Sequence, residues 1–276
     1  MDHGYADQDH GQAPQPRPEA AAVAEQRVEV SVVVPAYNEA SRLPKTLAAA
    51  TAYLAAQPYS WELIVADDGS EDATPDIAAA AEAADPRVRH LRLPHRGKAA
   101  AVHAGVRAAR GEVVVFTDAD LSTPIEYVAD VRRLIKSGFD VVIGTREGVG
   151  ARRIGEPFYR HVMGRLYNYL VQLLAVPGIK DTQCGFKGFS GAAAREVFGS
   201  AWLYRNGAAP VRGPLVTGFD VELLFLARKR GLRVAELPVT WRHVDGSKVR
   251  PGIDSLLMVR DVVRVRWNDF RGRYGR

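Results

Sequence analysis

Val113-Val-Val-Phe-Thr117, followed by Asp118-Ala119-Asp120-Leu-Ser-Thr-Pro124, is the stretch that decides the fold of this chain. A short uncharged run describes a strand buried on both faces, and the acids after it mark where that strand ends. The same kind of unit recurs on either side. Val28 to Val34 is an apolar strand that runs into Pro35, Leu43 to Ala56 reads as a helix, and Trp61 to Ala66 as a strand. Asp72 to Ala84 is an Ala-rich helix, Val88 to Leu93 a strand, and Lys98 to Arg110 a helix. Beyond the central strand, Pro124 to Ser137 reads as a helix and Val141 to Gly144 as a strand. This alternation predicts an α/β fold with a mainly parallel central sheet flanked by helices. Such sheets bind ligands at the carboxyl ends of their strands. The polar clusters Pro35–Glu39, Asp67–Ser70, Asp118–Asp120 and Thr145–Arg146 fall there.

The second half is less regular. Phe158 to Leu174 reads as a helix with apolar residues at Val162, Leu166, Leu170 and Leu174. Gly185 to Ser190 suits a short strand, Phe219 to Lys229 a helix, and Val234 to Trp241 an extended segment interrupted by Pro238. Residues 1–27 are rich in Asp, Gln, Pro and Ala without an apolar period, and read as a disordered tail. One domain over 28–250 and a C-terminal helix over 251–276 are expected to follow.

An apolar share of 47% is ample for a buried core. The net charge of +5 hides an asymmetry, because residues 1–27 hold five acids against two arginines and the remainder is strongly basic. A basic body suits phosphate, acidic lipid or nucleic acid, or serves solubility alone. Nucleic acid is not expected, because outside the C-terminal segment the arginines lack interleaved aromatic platforms. The single Cys184 excludes an internal disulfide and suits a reducing compartment. No apolar run reaches the roughly 18–20 residues that span a bilayer. Tyr167 to Val176 is too short and contains Gln172, and the acidic N-terminus lacks the pattern of a secretory signal. The expectation is a cytoplasmic protein, soluble or peripheral on the cytoplasmic face of a membrane.

Two carboxylates one residue apart at a strand end, Asp118 and Asp120, can share Mg²⁺ or Mn²⁺ with a substrate diphosphate, although surface loops also produce the pattern by chance. In Asp67-Asp68-Gly69-Ser70 an acid can bond a base or ribose while Gly69 permits a tight turn. A turn with an N-cap from Ser70 or Asp72 explains the same residues. Tyr37 can stack on a base, and Glu39 can accept from a ribose or from a basic neighbour. Arg96-Gly97-Lys98 opens a helix, where free N–H groups and cations favour an anion. A solvated basic turn accounts for it equally.

In this order the pieces resemble family 2 glycosyltransferases with the GT-A fold, the fold of nucleotide-diphospho-sugar transferases. Asp118-Ala-Asp-Leu-Ser-Thr-Pro124, Gly144-Thr-Arg146, Asp181-Thr-Gln-Cys-Gly-Phe-Lys187, Phe219-Asp-Val-Glu-Leu-Leu224 and Trp241 ahead of Gly246-Ser-Lys248 look like dolichyl-phosphate β-glucosyltransferases. The resemblance runs from about Val30 to Lys248. It implies a nucleotide-sugar pocket lined by Pro35, Tyr37, Glu39, Asp68 and Lys98, with Asp118 and Ala119 on the nucleotide. Asp120, with Asp118, would hold the metal. Arg146, Arg242 and Lys248 would gather positive charge for the donor diphosphate and the acceptor phosphate, the match at Arg242 being looser. Asp120, Arg146, Asp181 and Lys248 would carry the transfer chemistry.

The implied reaction is inverting transfer of a hexose, foremost glucose from UDP-glucose, to dolichyl or polyprenyl phosphate. A polyprenyl-phosphate mannosyltransferase using GDP-mannose and a non-catalytic sugar-nucleotide-binding protein are the alternatives. Asp181, Asp220 and Glu222 are candidates for orienting the acceptor or holding the sugar. Helix capping, or ion pairs with Lys187 or Arg228, would occupy them as well.

Related enzymes often carry C-terminal transmembrane helices, and this chain shows none. Instead Leu256, Val259, Val263, Trp267 and Phe270 recur every three or four residues among Arg260, Arg264, Arg266, Arg271, Arg273 and Arg276. Such a basic amphipathic helix can lie in the headgroups of an anionic membrane, or dock on the domain. Arg266-Trp267 is similar to the end of the Gln-x-x-Arg-Trp signature of processive synthases. Val263 stands in place of its Gln, so polymer synthesis is not expected.

Overall fold

The computed structural model describes residues 1, 27–203, 217–244 and 253–275. The segments read as strands take that form: β1 (Val30–Ala36), β2 (Trp61–Asp67), β3 (Val88–Arg92), β4 (Val113–Phe116) and β5 (Val141–Thr145). Between them lie α1 (Leu43–Ala55), α2 (Thr74–Ala84), α3 (Lys98–Ala108) and α4 (Tyr127–Lys136). The second half continues with β6 (Arg152–Ile154), α5 (Phe158–Leu174), β7 (Lys187–Ser190) and α6 (Gly191–Ser200). It closes with α7 (Phe219–Lys229), β8 (Val234–Pro238), β9 (Thr240–Arg242) and α8 (Ile253–Phe270).

Where these bounds differ from the sequence reading, local chemistry gives the reason. β1 runs through Pro35 instead of stopping before it. Pro35 shares the strand side of Val33, which faces β4, and β4 ends at Phe116 opposite Val33. The missing N–H therefore costs no ladder bond. α2 starts at Thr74 because Asp72 Oδ1 accepts the Thr74 N–H just outside the helix. α6 and β6 were not expected. α6 is capped by Ser190, whose Oγ accepts from the Ala193 N–H at 3.1 Å.

Seven strands form one sheet in the order β3-β2-β1-β4-β7-β5-β8, while β6 and β9 pair apart from it. All neighbours in the large sheet are parallel except β7, which runs against both β4 and β5. Strand order reverses between β1 and β4, which opens a crevice at their carboxyl ends. Because β7 is reversed, its incoming loop, residues 181–186, arrives at that same edge.

Alternate strand residues feed two buried layers. Val33, Ile64, Phe116 and Ile143 pack under α3, α6 and α7, with α5 and α8 beyond. Val32, Val34, Leu63 and Val115 pack against α1 and α4 on the other face. Phe189 is fully buried, 5.4 Å from Phe198 and 6.2 Å from Phe116 between ring centroids. Phe189→Ala is expected to cost about 3–5 kcal/mol in urea unfolding, and Phe189→Leu less than about 1.5 kcal/mol.

Candidate active site

The loops after β1 and β2 are locked to each other. Asn38 N–H donates to Ser70 Oγ (2.9 Å), Glu39 N–H to Thr74 Oγ1 (2.8 Å) and Ala40 N–H to Asp72 Oδ2 (3.1 Å). Glu71 N–H returns a bond to Asn38 Oδ1 at 2.9 Å. Asn38 takes a positive φ of 50° to make this corner. Ser70 and Asp72 thus serve the turn, and Glu39 accepts from the nearby Arg42 guanidinium at 3.2 Å.

Asp68 is buried, and its carboxylate draws the loop after β3 onto the edge. Oδ1 accepts the Arg96 N–H and Oδ2 the Gly97 N–H, each at 2.8 Å, while His95 Nδ1 lies 2.8 Å from Oδ2. Gly97 adopts φ 93°, which favours glycine, and directly precedes α3. The His95 ring stacks on Tyr37 at 3.9 Å with planes 2° apart. Tyr37 and Asp68 therefore form one corner with His95, a residue for which the sequence offered no signal.

Lys98, the first residue of α3, reaches across to Asp118 and pairs with its Oδ1. Crowding by protein atoms works against the Lys98 charge, but Asp118, then Asp220 and Asp120, outweigh it and raise its pKa. Behind Asp118 lies Gly185, where a Cβ would fall on the carboxylate oxygens. That is the physical demand for glycine within the 181–187 string. Asp120 is oriented from one side, its Oδ1 accepting from both the N–H (2.9 Å) and the hydroxyl (2.7 Å) of Ser122. Leu121 takes φ 47° between them, strain stored beside the two acids. Ala119 is buried, and its carbonyl accepts from Thr46 Oγ1 of α1 at 2.5 Å. Thr46, too, was missed, since a lone threonine in a helix carries no mark of what lies opposite.

At the end of β5, Arg146 is clamped by Asp181. Nε donates to Oδ2 at 2.7 Å, Nη2 to Oδ1 at 2.9 Å, and the Arg146 N–H to Oδ2 at 3.0 Å. The guanidinium also sits 5.4 Å from the centre of the Trp241 ring. Burial alone would raise the Asp181 pKa. Arg146 overrides it by charge and hydrogen bonding, and holds the carboxyl well below the usual carboxylate range. Arg146 is raised in turn, burial opposing and Asp181 prevailing.

Arg242 is exposed on β9, and its N–H donates to the Ser122 carbonyl at 2.8 Å, which ties β9 to the Asp120 turn. Lys248 lies outside the described residues. Lys187 is fully buried, with Nζ 2.6 Å from both the Cys184 carbonyl and Asp220 Oδ1. Glu222 accepts from the Trp202 and Leu203 N–H groups and from the Tyr274 hydroxyl, so it braces loop and C-terminus and does not face the edge. Arg228 turns to the Pro177 carbonyl.

A carboxyl held ionised in the folded chain stabilises it above the unfolded-state pKa of about 4, and this is lost as pH falls below that value. The gap in unfolding midpoint between the natural chain and Asp181→Asn should be widest near neutrality and shrink below about pH 4. An unchanging gap under acid would contradict the assignment.

Comparison with known proteins identifies the family and the fold. The family model described as Glycosyl transferase family 2 matches residues 31–198. The chain is 36% identical over 260 residues to a dolichyl-phosphate β-glucosyltransferase of Dictyostelium discoideum, covering 88% of this chain and 75% of that protein. It is 37% identical over 253 residues to the Drosophila melanogaster protein of the same name, covering 86% and 74%. Its fold is shared with the crystal structure of glucosyl-3-phosphoglycerate synthase from Mycobacterium tuberculosis in complex with Mn²⁺, uridine diphosphate and glucosyl-3-phosphoglycerate. That match has a TM-score of 0.60 and 21% identity, over 90% of this chain and 80% of the other. With more than half its length inside the family model and carrying the carboxylate pair at a GT-A sheet edge, the chain belongs to glycosyl transferase family 2.

Proposed function

We propose that this chain transfers a hexose, foremost glucose from UDP-glucose, to dolichyl or polyprenyl phosphate with inversion at the anomeric carbon. The observation that carries the reading is the gathering of Asp118, Asp120, Lys98 and the Arg146–Asp181 pair at one sheet edge. The names of the relatives supply the lipid phosphate and the glucosyl group.

The acceptor is already an anion near neutral pH, so the reaction needs alignment of two repelling groups more than it needs a strong base. An acceptor phosphate oxygen would attack C1 of the sugar in line while the bond from C1 to the diphosphate oxygen breaks. Direct displacement turns an α-linked donor into a β-linked product. Tyr37, Pro35 and Glu39 would line the nucleoside end of the edge, with Asp68 fixing the corner. Lys98 supplies positive charge at an α-helix N-terminus, which favours the diphosphate. Asp181 positions Arg146, whose planar guanidinium suits phosphate oxygens, and Arg242 and Lys248 would add charge on the acceptor side.

The donor set fits a divalent metal. Among the described residues no three His, Cys, Asp or Glu side chains form a closed cage. Mg²⁺ and Mn²⁺ suit one or two carboxylates with the remaining positions left to phosphate and water. Asp120, its plane fixed by Ser122, would hold the ion together with Asp118. When bound, the cation would draw charge from the departing diphosphate. The reaction would take place at a membrane, with the protein peripheral on its cytoplasmic face. Among the described residues no helix is long and apolar enough to cross one.

With Mn²⁺ or Mg²⁺, labelled donor and a short-chain polyprenyl phosphate, label from UDP-glucose should become lipid-extractable. Label from GDP-mannose alone would select the mannosyl reaction, donor hydrolysis alone another acceptor, and binding without turnover a non-catalytic protein. Chelation should stop transfer and added Mn²⁺ restore it. Asp120→Ala should lower the rate at least ~100-fold without unfolding the chain, and near-normal activity would refute the metal assignment. Gly185→Ala should displace the Asp118 carboxylate, and nucleoside diphosphate binding should weaken about tenfold by calorimetry for one strained charge contact.

A further inference from the structure

Two helices on one side of the molecule carry more outward apolar surface than their packing explains. α5 docks through Tyr167 and Val171, and α8 through Met258, Val262 and Val265, all buried. Facing away from those contacts, Phe158 (80%), Leu166 (72%) and Leu173 (69%) on α5 and Phe270 (84%) on α8 are mostly exposed, and Trp267 is half exposed. The two helices pack against each other, and Tyr167 Oη lies 3.5 Å from the Met258 carbonyl. Monomeric soluble proteins rarely expose apolar surface on this scale, so the two faces mark an interaction site.

Charge identifies the partner. Arg165, Arg260, Arg264 and Arg266 stand about half exposed beside the apolar faces. The acid that Arg260 and Arg264 approach, Asp261, is fully buried and points inward, where Oδ2 accepts the Gly218 N–H, and the acids beside Arg165 and Arg266, Glu147 and Asp269, are mostly covered. The outward rim is therefore basic around aromatic and aliphatic side chains, the composition that settles into the headgroups of anionic lipid.

We infer that α5 and α8 together form a lipid-facing platform that seats the protein in the headgroup layer of an anionic bilayer. The sequence suggested such a role for residues 251–276 only, with docking on the domain as the alternative. In the structure α8 does both, one face docked and the other open, and α5 is its equal partner. The platform lies close to the chemistry. Arg153 of β6 donates to the Arg146 carbonyl at 3.3 Å, to Glu147 at 2.7 Å and to Glu156, just ahead of α5, at 2.6 Å. Its purpose rests on the membrane-lipid acceptor proposed above, while its test needs neither donor nor acceptor.

The full chain is floated with phosphatidylcholine vesicles with and without phosphatidylglycerol. It should bind those containing phosphatidylglycerol, and added salt should weaken that binding. Leu166→Ser with Leu173→Ser, and separately Trp267→Ser with Phe270→Ser, should each weaken it at least ~10-fold, and the α5 pair should leave the melting temperature unchanged, since both of its side chains are mostly exposed. Failure of the natural chain to bind anionic vesicles, or unchanged binding by the α5 pair, would overturn the platform. So would a dimer in sedimentation velocity that both pairs dissociate, because the surface would then belong to a second copy. Vesicle binding without transfer to short-chain polyprenyl phosphate would uphold the platform and remove the acceptor reading.

Discussion

The site depends on β7 running against the six strands around it. A strand parallel to its neighbours would send the 181–186 loop to the far side of the sheet. Reversed, β7 brings that loop to the carboxyl edge, where Gly185 backs the Asp118 carboxylate and Asp181 meets Arg146. Lys187, the first residue of the strand, lands beside Asp220 at the start of α7. One change of chain direction thus joins three distant pieces of sequence into a single rim.

That rim is organised as pairs of opposite charge: Lys98 with Asp118, Arg146 with Asp181, Lys187 with Asp220. Removing charges from water is expensive, and each pair lessens the cost for both members. The pairs differ in exposure. Lys187 is sealed and serves architecture, Lys98 stands open at the mouth, and Arg146 is mostly covered yet braced by both Asp181 and Trp241. A cation held by a fixed carboxylate loses little orientational freedom when an anion arrives, which is the general advantage of a preorganised polar site.

Much of this was legible in the sequence because the central parallel strands are buried on both faces and so almost wholly apolar, while polar residues gather at their ends. α5 and α7 were read to the residue, and the acids after β1, β2 and β4 fell at the crevice. What escaped was everything set by distant partners. The direction of β7 leaves no local pattern. Thr46 and His95 matter through atoms more than 25 residues away. For Glu222 the sequence left an edge role and a bracing role open, and the bond from Tyr274, 52 residues on, assigns it to bracing. The 251–276 segment posed a choice between docked and open that a helix of two faces does not have to make.

The corner built on Asp68 has a consequence for how this region can vary. Two of its donors are main-chain amides, at Arg96 and Gly97, and any residue but proline at 96 offers the same N–H. The corner is therefore indifferent to the side chain at 96 and intolerant of an inserted or deleted residue, which would slide the amides past the carboxylate. Segments borrowed from other proteins would fit here only with the same count, a glycine at 97 and a ring at 95 able to meet Asp68 and Tyr37.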